Sequence, residues 1–420
     1  MLVPNVETVF IVGAGFSHHA GLPLTSRFTE AILEARQFRG GPSRILVDFL
    51  GRFIHDAFDH STKVKAKNWP DLEDLFTCVD LSANSGHHLG STFAPADLRT
   101  VRRAMLSRTI RMLHQKYEAG RKKKDSDWKK LDDFFARIDR ASVGFISMNW
   151  DTVIERKLAL TQDNRVFDYC CDAARAIIPD APEEYSSKNA YLKADDYYSS
   201  KKEYLKAKKV GQVIKVAAVP VDRKIADKST PIVKIHGSAN WLYCDNCRQL
   251  FWFDPGQSLR IADQLIRPDD VIRIKNFLSK KGSHVEETLS SLDSQPRVKC
   301  LCSEDVALGT RIATFSYRKA LEFPMFQKSW FAAEELLGGA VKWVFIGYSL
   351  PAADYEFKYL LKRTQLSRRK QPEFIVISGG TKDDVGRTYD NYHRFFGRAI
   401  NKLSFFASGL TQDAVTTICR

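Results

Sequence analysis

The sequence predicts an α/β protein built on a parallel sheet of the Rossmann type. Five short apolar segments are typical of buried parallel strands, and they lie at 9–12, 143–147, 232–235, 343–346 and 374–377. The first leads directly into the glycine-rich sequence Gly13-Ala14-Gly15-Phe16-Ser17. Ligands of open parallel sheets bind beyond the carboxyl ends of the strands. We therefore expect the residues that follow the five strands to meet in one crevice.

The composition is that of a globular protein, with 420 residues of which 44% are hydrophobic. No stretch approaches the roughly 20 apolar residues of a membrane span, and the first residues lack the basic region of a secretory signal. We expect a cytoplasmic protein without a membrane anchor. The net charge of +14 suits an anionic ligand or nucleic-acid contact through basic loops, although a solvated basic surface explains it equally well.

The sequence divides into a Rossmann-type domain and three interruptions. The domain takes residues 1–39, 141–177 and 231–243, and it ends with C-terminal helices within 304–420. The interruptions are a large helical insertion at 40–140, a charged Tyr/Lys-rich insertion at 178–230 and a small module at 244–303. Apolar spacing predicts helices at 44–57, 70–81 and 97–115. We expect a solvated excursion over 178–230, with a short helix near 202–209; a lid or docking arm is the alternative.

Four of the eight cysteines form two close pairs in the small module. Cys244 and Cys247 have the two-residue gap that lets two thiolates bind one zinc ion. Cys300 and Cys302 are separated by one residue. We expect these four thiolates to hold a structural zinc, and four free thiols are the alternative. A site with four protein ligands has no open position, so we assign it to folding rather than to catalysis.

Taken in order, the segments after the strands resemble the motifs of the sirtuin family, in its divergent sirtuin-like branch. They are Gly13-Ala14-Gly15-Phe16-Ser17, Asn149-Trp150-Asp151, His236-Gly237, Cys244-x-x-Cys247 and Gly347-Tyr348-Ser349. The resemblance extends from the first strand to about Gly380. It implies a Rossmann-type domain that binds NAD+, with a zinc module after the His-Gly pair.

Two departures from the family pattern affect the expected reaction. Protein-deacylating sirtuins follow Gly-Ile-Pro with Asp-Phe-Arg, whereas here Gly21-Leu22-Pro23 is followed by Leu24-Thr25-Ser26. The segment that holds the acyl-lysine peptide in the family is also missing after Cys302. The cofactor half of the site is therefore kept and the acyl-peptide half is not, which favours water as the nucleophile.

We accordingly expect an NAD+ hydrolase that forms nicotinamide and ADP-ribose or cyclic ADP-ribose. Asn149 would hold a ribose hydroxyl or a water, His236 would accept a proton near neutral pH, and Asp151 would orient the nicotinamide carboxamide. The residues expected to bind the rest of NAD+ are Gly13, Ala14, Gly15, Ser17, Gly347, Ser349 and Ser378. Each catalytic assignment has a structural alternative. In these alternatives Asn149 is a turn residue, His236 is a buried structural histidine, and Asp151 is an acidic residue at the N-terminus of a helix.

The resemblance also implies a role as an NAD-depleting effector of bacterial antiphage defence. Such a protein must stay silent until a trigger or partner activates it. The family precedent suggests a homo-oligomer, with a DNA-translocase-type ATPase or an Argonaute-like protein as partner. Two other functions remain open: an NAD-dependent protein deacylase, and a non-enzymatic module whose basic loops contact nucleic acid.

Overall fold

Two β-sheets organise the chain in the computed structural model, which describes residues 4–34, 42–58, 69–160, 166–177, 214–219, 229–278, 298–302, 308–310, 312, 324–400 and 404–419. The strands in these ranges are β1 (Thr8–Val12), β2 (Val143–Ser147), β3 (Phe167–Asp168), β4 (Ala173–Ile177), β5 (Ile214–Val219), β6 (Thr230–Lys234), β7 (Trp241–Tyr243), β8 (Leu250–Trp252), β9 (Val298–Cys300), β10 (Lys342–Ile346), β11 (Glu373–Ile377) and β12 (Phe405–Phe406).

The helices lie mainly before β2 and after β9. They are α1 (Ala14–His18), α2 (Phe28–Leu33), α3 (Pro42–Phe58), α4 (Leu72–Ser85), α5 (Pro95–Lys123), α6 (Ser126–Arg137), α7 (Val153–Leu158), α8 (Ser258–Gln264), α9 (Pro268–Leu278), α10 (Pro324–Gly339), α11 (Tyr355–Ser367), α12 (Lys382–Phe396) and α13 (Gln412–Ile418). Among these described helices, none combines the length and the apolar content needed to span a membrane.

The larger sheet has seven parallel strands in the order β12-β11-β10-β1-β2-β6-β3. The five strands predicted from the sequence are its five central strands, so the prediction of a Rossmann-type parallel sheet is confirmed. The strand order reverses between β1 and β10, because the chain first extends the sheet on one side of β1 and later on the other. The edge strands β3 and β12 were not predicted.

The apolar runs of the central strands are continuous because helices cover both faces of the sheet. Alternate residues of β1 enter two different cores: Phe10 and Val12 face one, and Val9 and Ile11 face the other. The Phe10 ring lies 5.1 Å from the ring of Phe134 on α6. Helix α6 therefore covers the first face, in a core that also contains residues of α3, α4 and α5, while α10, α11 and α12 contribute to the core on the second face.

The chain between β1 and β2 is mainly helical, as the apolar spacing predicts. The three predicted helices correspond to α3, α4 and the 29-residue α5, and α6 was not predicted. Buried polar contacts join α5 to the helices that follow β8. Asp270 on α9 is fully buried and accepts hydrogen bonds from Thr100 Oγ1 at 2.6 Å and from Arg103 Nε at 2.7 Å. Helix α5 is thereby fixed against α9.

The smaller sheet was not predicted and has the order β7-β8-β4-β5-β9. Its two edge strands are joined by one segment. Leu308 N donates to the Val298 carbonyl at 3.3 Å, and Gly309 N donates to the Tyr243 carbonyl at 3.0 Å. The segment 308–309 therefore bridges β7 and β9. Strand β5 belongs to the stretch at 178–230 that we expected to be a solvated excursion, so this part is instead a sheet strand; the helix expected near 202–209 lies outside the described residues.

Candidate functional site

The loops that follow β1, β2, β6 and β10 begin at the same edge of the larger sheet. We name three of them the glycine loop (residues 13–17), the Asn149 loop (residues 148–152) and the Gly347 loop (residues 347–354). Backbone hydrogen bonds continue one residue beyond the strands, from Met148 N to the Val12 carbonyl at 3.0 Å and from Gly13 N to the Ile346 carbonyl at 3.1 Å. The loops are thereby held side by side, as expected from the sheet.

Three glycines allow the glycine loop and the Gly347 loop to touch. Gly15 N donates to the Gly347 carbonyl at 2.9 Å. A Cβ atom at Gly13 would lie 2.6 Å from the Gly347 oxygen, and one at Gly347 would lie 2.2 Å from Phe16 N. Gly347 also has a φ of +61°, which side chains disfavour. The sequence predicts that all three glycines bind NAD+; the contact between the two loops is a second reason for glycine at these positions, and it needs no ligand.

The Asn149 side chain binds the glycine loop. Its Nδ2 donates to the Gly13 carbonyl at 2.8 Å and to Ser17 Oγ at 2.9 Å. Because a carbonyl oxygen only accepts, the amide orientation is fixed with Nδ2 toward Gly13. The Asn149 backbone N–H donates to Ser147 Oγ at 3.2 Å. Both amide hydrogens therefore serve the protein itself, and a ligand hydroxyl would meet Oδ1.

The His236 ring is held between the Asn149 loop and the Gly347 loop. Its Nδ1 lies 3.2 Å from the Met148 carbonyl, so Nδ1 carries the proton and donates to that oxygen. Its Nε2 lies 4.0 Å from Oδ1 of Asp354. The side chains of His236 and Asp354 are 11% and 12% exposed, so both groups border the surface while their neighbours hold them in place.

Asp354 is a site residue that the sequence analysis missed. It stands at the N-terminal boundary of α11, and an aspartate there ordinarily caps the helix. Its side chain makes no capping hydrogen bond; instead, Oδ2 accepts from the Tyr348 hydroxyl at 2.9 Å. Burial raises the pKa of Tyr348 well above its ordinary value, with the Asp354 charge as a further cause, so the phenol remains a donor.

Asp151 lies at the start of α7 and beside a small cavity. Its Oδ1 accepts from Val153 N at 3.0 Å, which is the contact expected of an acidic residue at a helix start. The same residue lines a cavity of about 10 Å³ together with Leu22, His114 and Arg156. That volume is close to the space of one water molecule. The hydrogen bond from Val153 N supports a structural role for Asp151, and its position beside the cavity supports a role in ligand binding.

Arg156 closes one wall of this cavity. Its guanidinium donates to Glu118 Oε1 at 2.7 Å, to His114 Nδ1 at 3.0 Å and to the Pro255 carbonyl at 2.6 Å. Burial, together with the Arg156 charge, lowers the pKa of His114 to about 4. The imidazole is therefore neutral and accepts from Arg156. One side chain in this way joins α7, α5 and the turn before α8.

A buried ion pair supports the Asn149 loop from below. Lys234, at the end of β6, donates from Nζ to the Asp151 carbonyl at 2.5 Å and lies 3.4 Å from Glu155 Oε1. The Tyr169 hydroxyl also donates to Glu155 Oε1, at 3.1 Å. Burial raises the pKa of Glu155, whereas the Lys234 ammonium lowers it. The sequence pattern places Lys234 in the apolar strand at 232–235 and predicts no role in the site for it.

The remaining predicted ligand residues are spread along the same edge. Ser17 is buried and accepts from Asn149, and Ala14 begins α1. The Ser349 carbonyl accepts from Asn391 Nδ2 at 3.0 Å. Ser378 is buried at the end of β11, where its backbone N–H donates to the Phe406 carbonyl at 2.9 Å. The geometry thus joins Gly13, Ser17 and Asn149 directly, while Ser378 is fixed by β12.

The four paired cysteines come together as a cluster that could hold a metal ion. All four Sγ atoms lie within 4.8 Å of one another; the Cys244–Cys302 distance is 3.5 Å and the Cys247–Cys300 distance is 3.6 Å. Tetrahedral thiolates around zinc, at Zn–S distances of about 2.3 Å, lie about 3.8 Å apart. The thiols therefore suit zinc. Cys244 follows β7 and Cys300 ends β9, so an ion there would join the two edges of the smaller sheet.

Comparison with known proteins assigns no family to the chain. No protein-family model matches it, and no curated protein matches it.

Proposed function

We propose that the protein is an NAD+ glycohydrolase, which cleaves the bond between nicotinamide and ribose. The observation that carries the proposal is the position of Asn149 and His236. They lie on the loops of the adjacent strands β2 and β6, next to the point between β1 and β10 where the strand order reverses. Open parallel sheets bind nucleotides at such a point. The order of the motifs along the chain, which resembles that of sirtuins, supports the same activity.

Asn149 suits the task of orienting the reacting ribose. Its Nδ2 is bound by Gly13 and Ser17, so Oδ1 is held in a fixed direction. That oxygen accepts a hydrogen bond from a ribose hydroxyl or from the attacking water. A side chain fixed before the substrate arrives loses little freedom on binding, which is the basis of catalysis by orientation.

His236 suits the role of general base. The hydrogen bond from Nδ1 to the Met148 carbonyl selects the tautomer whose Nε2 is unprotonated, and that nitrogen takes the proton from water or from a ribose hydroxyl. Nicotinamide is already cationic in NAD+, so it leaves without an acid. The transition state resembles an oxocarbenium ion. The products are nicotinamide and ADP-ribose, or cyclic ADP-ribose when a group of the substrate replaces water.

Water is favoured over an acylated peptide as the nucleophile. Protein-deacylating sirtuins carry an Asp-Phe-Arg sequence after the Gly-Ile-Pro turn, which this chain lacks. The next aromatic residue, Phe28, begins α2 and is buried in the apolar core. Because the Phe28 ring is buried in the core, it does not shield the reacting carbon of the ribose from water.

The wider role that we propose is that of an NAD-depleting effector of antiphage defence in the cytoplasm. The cavity beside Asp151, of about 10 Å³, is too small for a nicotinamide ring, so nicotinamide could bind there only if the cavity opened. Opening would follow homo-oligomerisation or binding of a DNA-translocase-type ATPase or an Argonaute-like partner. We interpret α3 to α6 as a large insertion in a Rossmann-type domain, and we assign zinc at the four cysteines to folding.

Chromatography of NAD+ incubated with the purified chain tests this function. We expect nicotinamide and ADP-ribose without added peptide, at a rate that rises with protein concentration if assembly activates the enzyme. Asn149→Ala and His236→Ala should each lower the rate about 10²- to 10⁴-fold, whereas the exposed controls Asn276→Ala and His87→Ala should match the wild type. NAD+ loss that strictly requires an acylated peptide would favour a deacylase. Intact NAD+ under every condition would contradict the proposal.

A further inference from the structure

A second cleft, of about 420 Å³, lies between α10, α11 and the turn that leads to β11. This volume is within the range of about 300–1,000 Å³ that is usual for small-molecule sites. The cleft directly precedes β10 and β11 in the chain, whereas the candidate NAD+ site follows the strands, so the two lie at opposite edges of the larger sheet. The lining includes Glu334, Thr364, Ser367, Arg368, Arg369 and Lys370.

The cleft carries an excess of positive charge. Its acidic residue, Glu334, is paired with Arg363, whose Nη2 lies 2.7 Å from Oε1 and 2.8 Å from Oε2 of the carboxylate. Arg369 and Lys370 are exposed, and within the described parts of the chain their side chains have no hydrogen-bond or ion-pair partner. The carboxylate is thus neutralised while two adjacent cations stay unpaired, which favours an anionic ligand.

Arg368 fixes the turn that carries the two cations. Its Nη1 donates to the Leu337 carbonyl at 2.6 Å and to the Gly338 carbonyl at 2.5 Å. Its Nε donates to the Lys370 carbonyl at 3.2 Å. The guanidinium therefore binds the turn to the last residues of α10, and the backbone of Arg369 and Lys370 is held beside the cleft before any ligand binds.

Two hydroxyls of α11 complete the lining. Thr364 is 4% exposed, and its Oγ1 has no hydrogen-bond partner among the residues that the structure describes. Buried polar atoms without a partner are uncommon in folded proteins, so this hydroxyl calls for a group that the described chain does not supply. Ser367 Oγ donates to the Arg363 carbonyl at 2.9 Å, and its oxygen can still accept a hydrogen bond from a ligand.

We propose that this cleft binds the phosphate monoester of a sugar, as found in nucleotides and sugar phosphates, at a second site that is separate from the NAD+ site. Arg369 and Lys370 bind the phosphate through charge-assisted hydrogen bonds. Thr364, Ser367 and Glu334 bind hydroxyls of the sugar. A lone phosphate would leave most of the cleft unfilled, because one water takes up about 30 Å³ of the liquid. The inference goes beyond the proposed function and does not depend on it.

Equilibrium dialysis with AMP and with ribose 5-phosphate, at about 0.15 M salt, tests the proposal. A double variant, Arg369→Gln with Lys370→Gln, removes both unpaired cations and keeps Arg368. It should weaken AMP binding at this site at least about 10-fold, the lower range of a hydrogen bond to a charged group. The matched control, Lys122→Gln with Lys129→Gln on exposed positions of α5 and α6, lowers the net charge equally and should bind AMP as the wild type does.

The second probe and a second variant identify what is bound. Ribose 5-phosphate that binds with the same dependence on the two cations indicates a sugar-phosphate site, whereas binding of AMP alone indicates a nucleotide site. Thr364→Val keeps the shape of the side chain and should weaken AMP binding about 2- to 10-fold. It should not lower the melting temperature, because the hydroxyl has no described partner to lose.

Three results would overturn the proposal. They are AMP binding by the double variant within twofold of wild type, AMP binding that Thr364→Val leaves unchanged, and single-stranded DNA that needs the two cations where AMP does not bind. The last result would indicate a nucleic-acid surface. All these variants should cleave NAD+ as the wild type does, so AMP binding that depends on the cations, in a protein that leaves NAD+ intact, would contradict only the glycohydrolase.

Discussion

Replacing Lys234 by methionine tests the buried ion pair beneath the Asn149 loop. The side chains of Lys234 and Glu155 are 1% and 0% exposed, so the substitution leaves a buried carboxylate without its cation. Removal of one partner of a buried pair costs about 3–5 kcal/mol. An unfolding entropy of about 2.1 cal/mol/K per residue gives roughly 0.9 kcal/mol/K for 420 residues. We therefore expect the melting temperature to fall by about 3–6 °C.

The loss should also depend on pH. Burial raises the pKa of Glu155 and Lys234 opposes that rise, so the variant has a still higher pKa in the folded state than in the unfolded chain. A carboxyl whose pKa rises on folding binds its proton more tightly in the folded protein. The stability that this proton contributes is fully present below the pKa in the unfolded chain, and it is lost as the pH rises through the pKa in the folded protein. The difference from wild type should accordingly be larger near pH 8 than near pH 5.

Calorimetric melting of a small variant set gives the measurement. Lys129→Met, on the exposed face of α6, is the matched control and should melt with the wild type. Adding Glu155→Gln to Lys234→Met removes both charges, keeps an acceptor for the Tyr169 hydroxyl, and should recover most of the loss. A Lys234→Met protein that melts within about 1 °C of the control at both pH values would refute the reasoning.

Two further predictions concern the cysteine cluster and the contact between the glycine loop and the Gly347 loop. Metal analysis should find about one zinc per chain. Cys247→Ser should lower the zinc content and the melting temperature, whereas the control Cys78→Ser on α4 should change neither. Wild-type protein that contains no zinc and melts at the same temperature with and without added zinc would contradict the assignment. Gly347→Ala should destabilise by at least about 1–2 kcal/mol, since its φ is +61° and its Cβ would overlap Phe16 N. Gly338→Ala, whose Cβ would meet open space, is the control, and equal melting of the two variants would argue against a close contact between the two loops.

Local sequence patterns were sufficient for the central strands and for three helices. A buried strand between two helical layers needs an unbroken apolar run, so β1, β2, β6, β10 and β11 carry their own signal. Helix α6 also carries one that was missed, because Trp128, Leu131, Phe134 and Phe135 have helical spacing and Asp125 caps the helix start by accepting from Trp128 N. Helix α6 was therefore predictable from the sequence.

The smaller sheet and the edge strands carried no comparable signal. Strands β3 and β12 have two residues each, which is too short for any alternation to appear. Strands β4, β5 and β9 pair with partners far away in the chain, so their pairing depends on contacts that no local window contains. The four cysteines were predicted to converge because the chemistry of a shared ion relates distant residues, which apolar periodicity cannot do.

The site residues that were missed, Lys234 and Asp354, have ordinary local explanations. Lys234 lies within the apolar segment 232–235, where a lysine ordinarily extends its charged end toward solvent, whereas it turns to the Asp151 carbonyl. Asp354 precedes a helix, where aspartate is common. Their roles depend on residues that are distant in sequence: Glu155 lies beside Lys234, and His236 lies beside Asp354.

The polar groups of the site are anchored mainly on the backbone of neighbouring loops. Asn149 donates to the Gly13 carbonyl, and His236 donates to the Met148 carbonyl. Arg156 lines the cavity beside Asp151 and joins α7 to α5. Helix α5 is in turn bound to α9 through Asp270, so a displacement of α5 would break these hydrogen bonds unless α9 moved with it. If the protein is a silent NAD+ glycohydrolase, we expect activation to act on substrate access through this pair of helices.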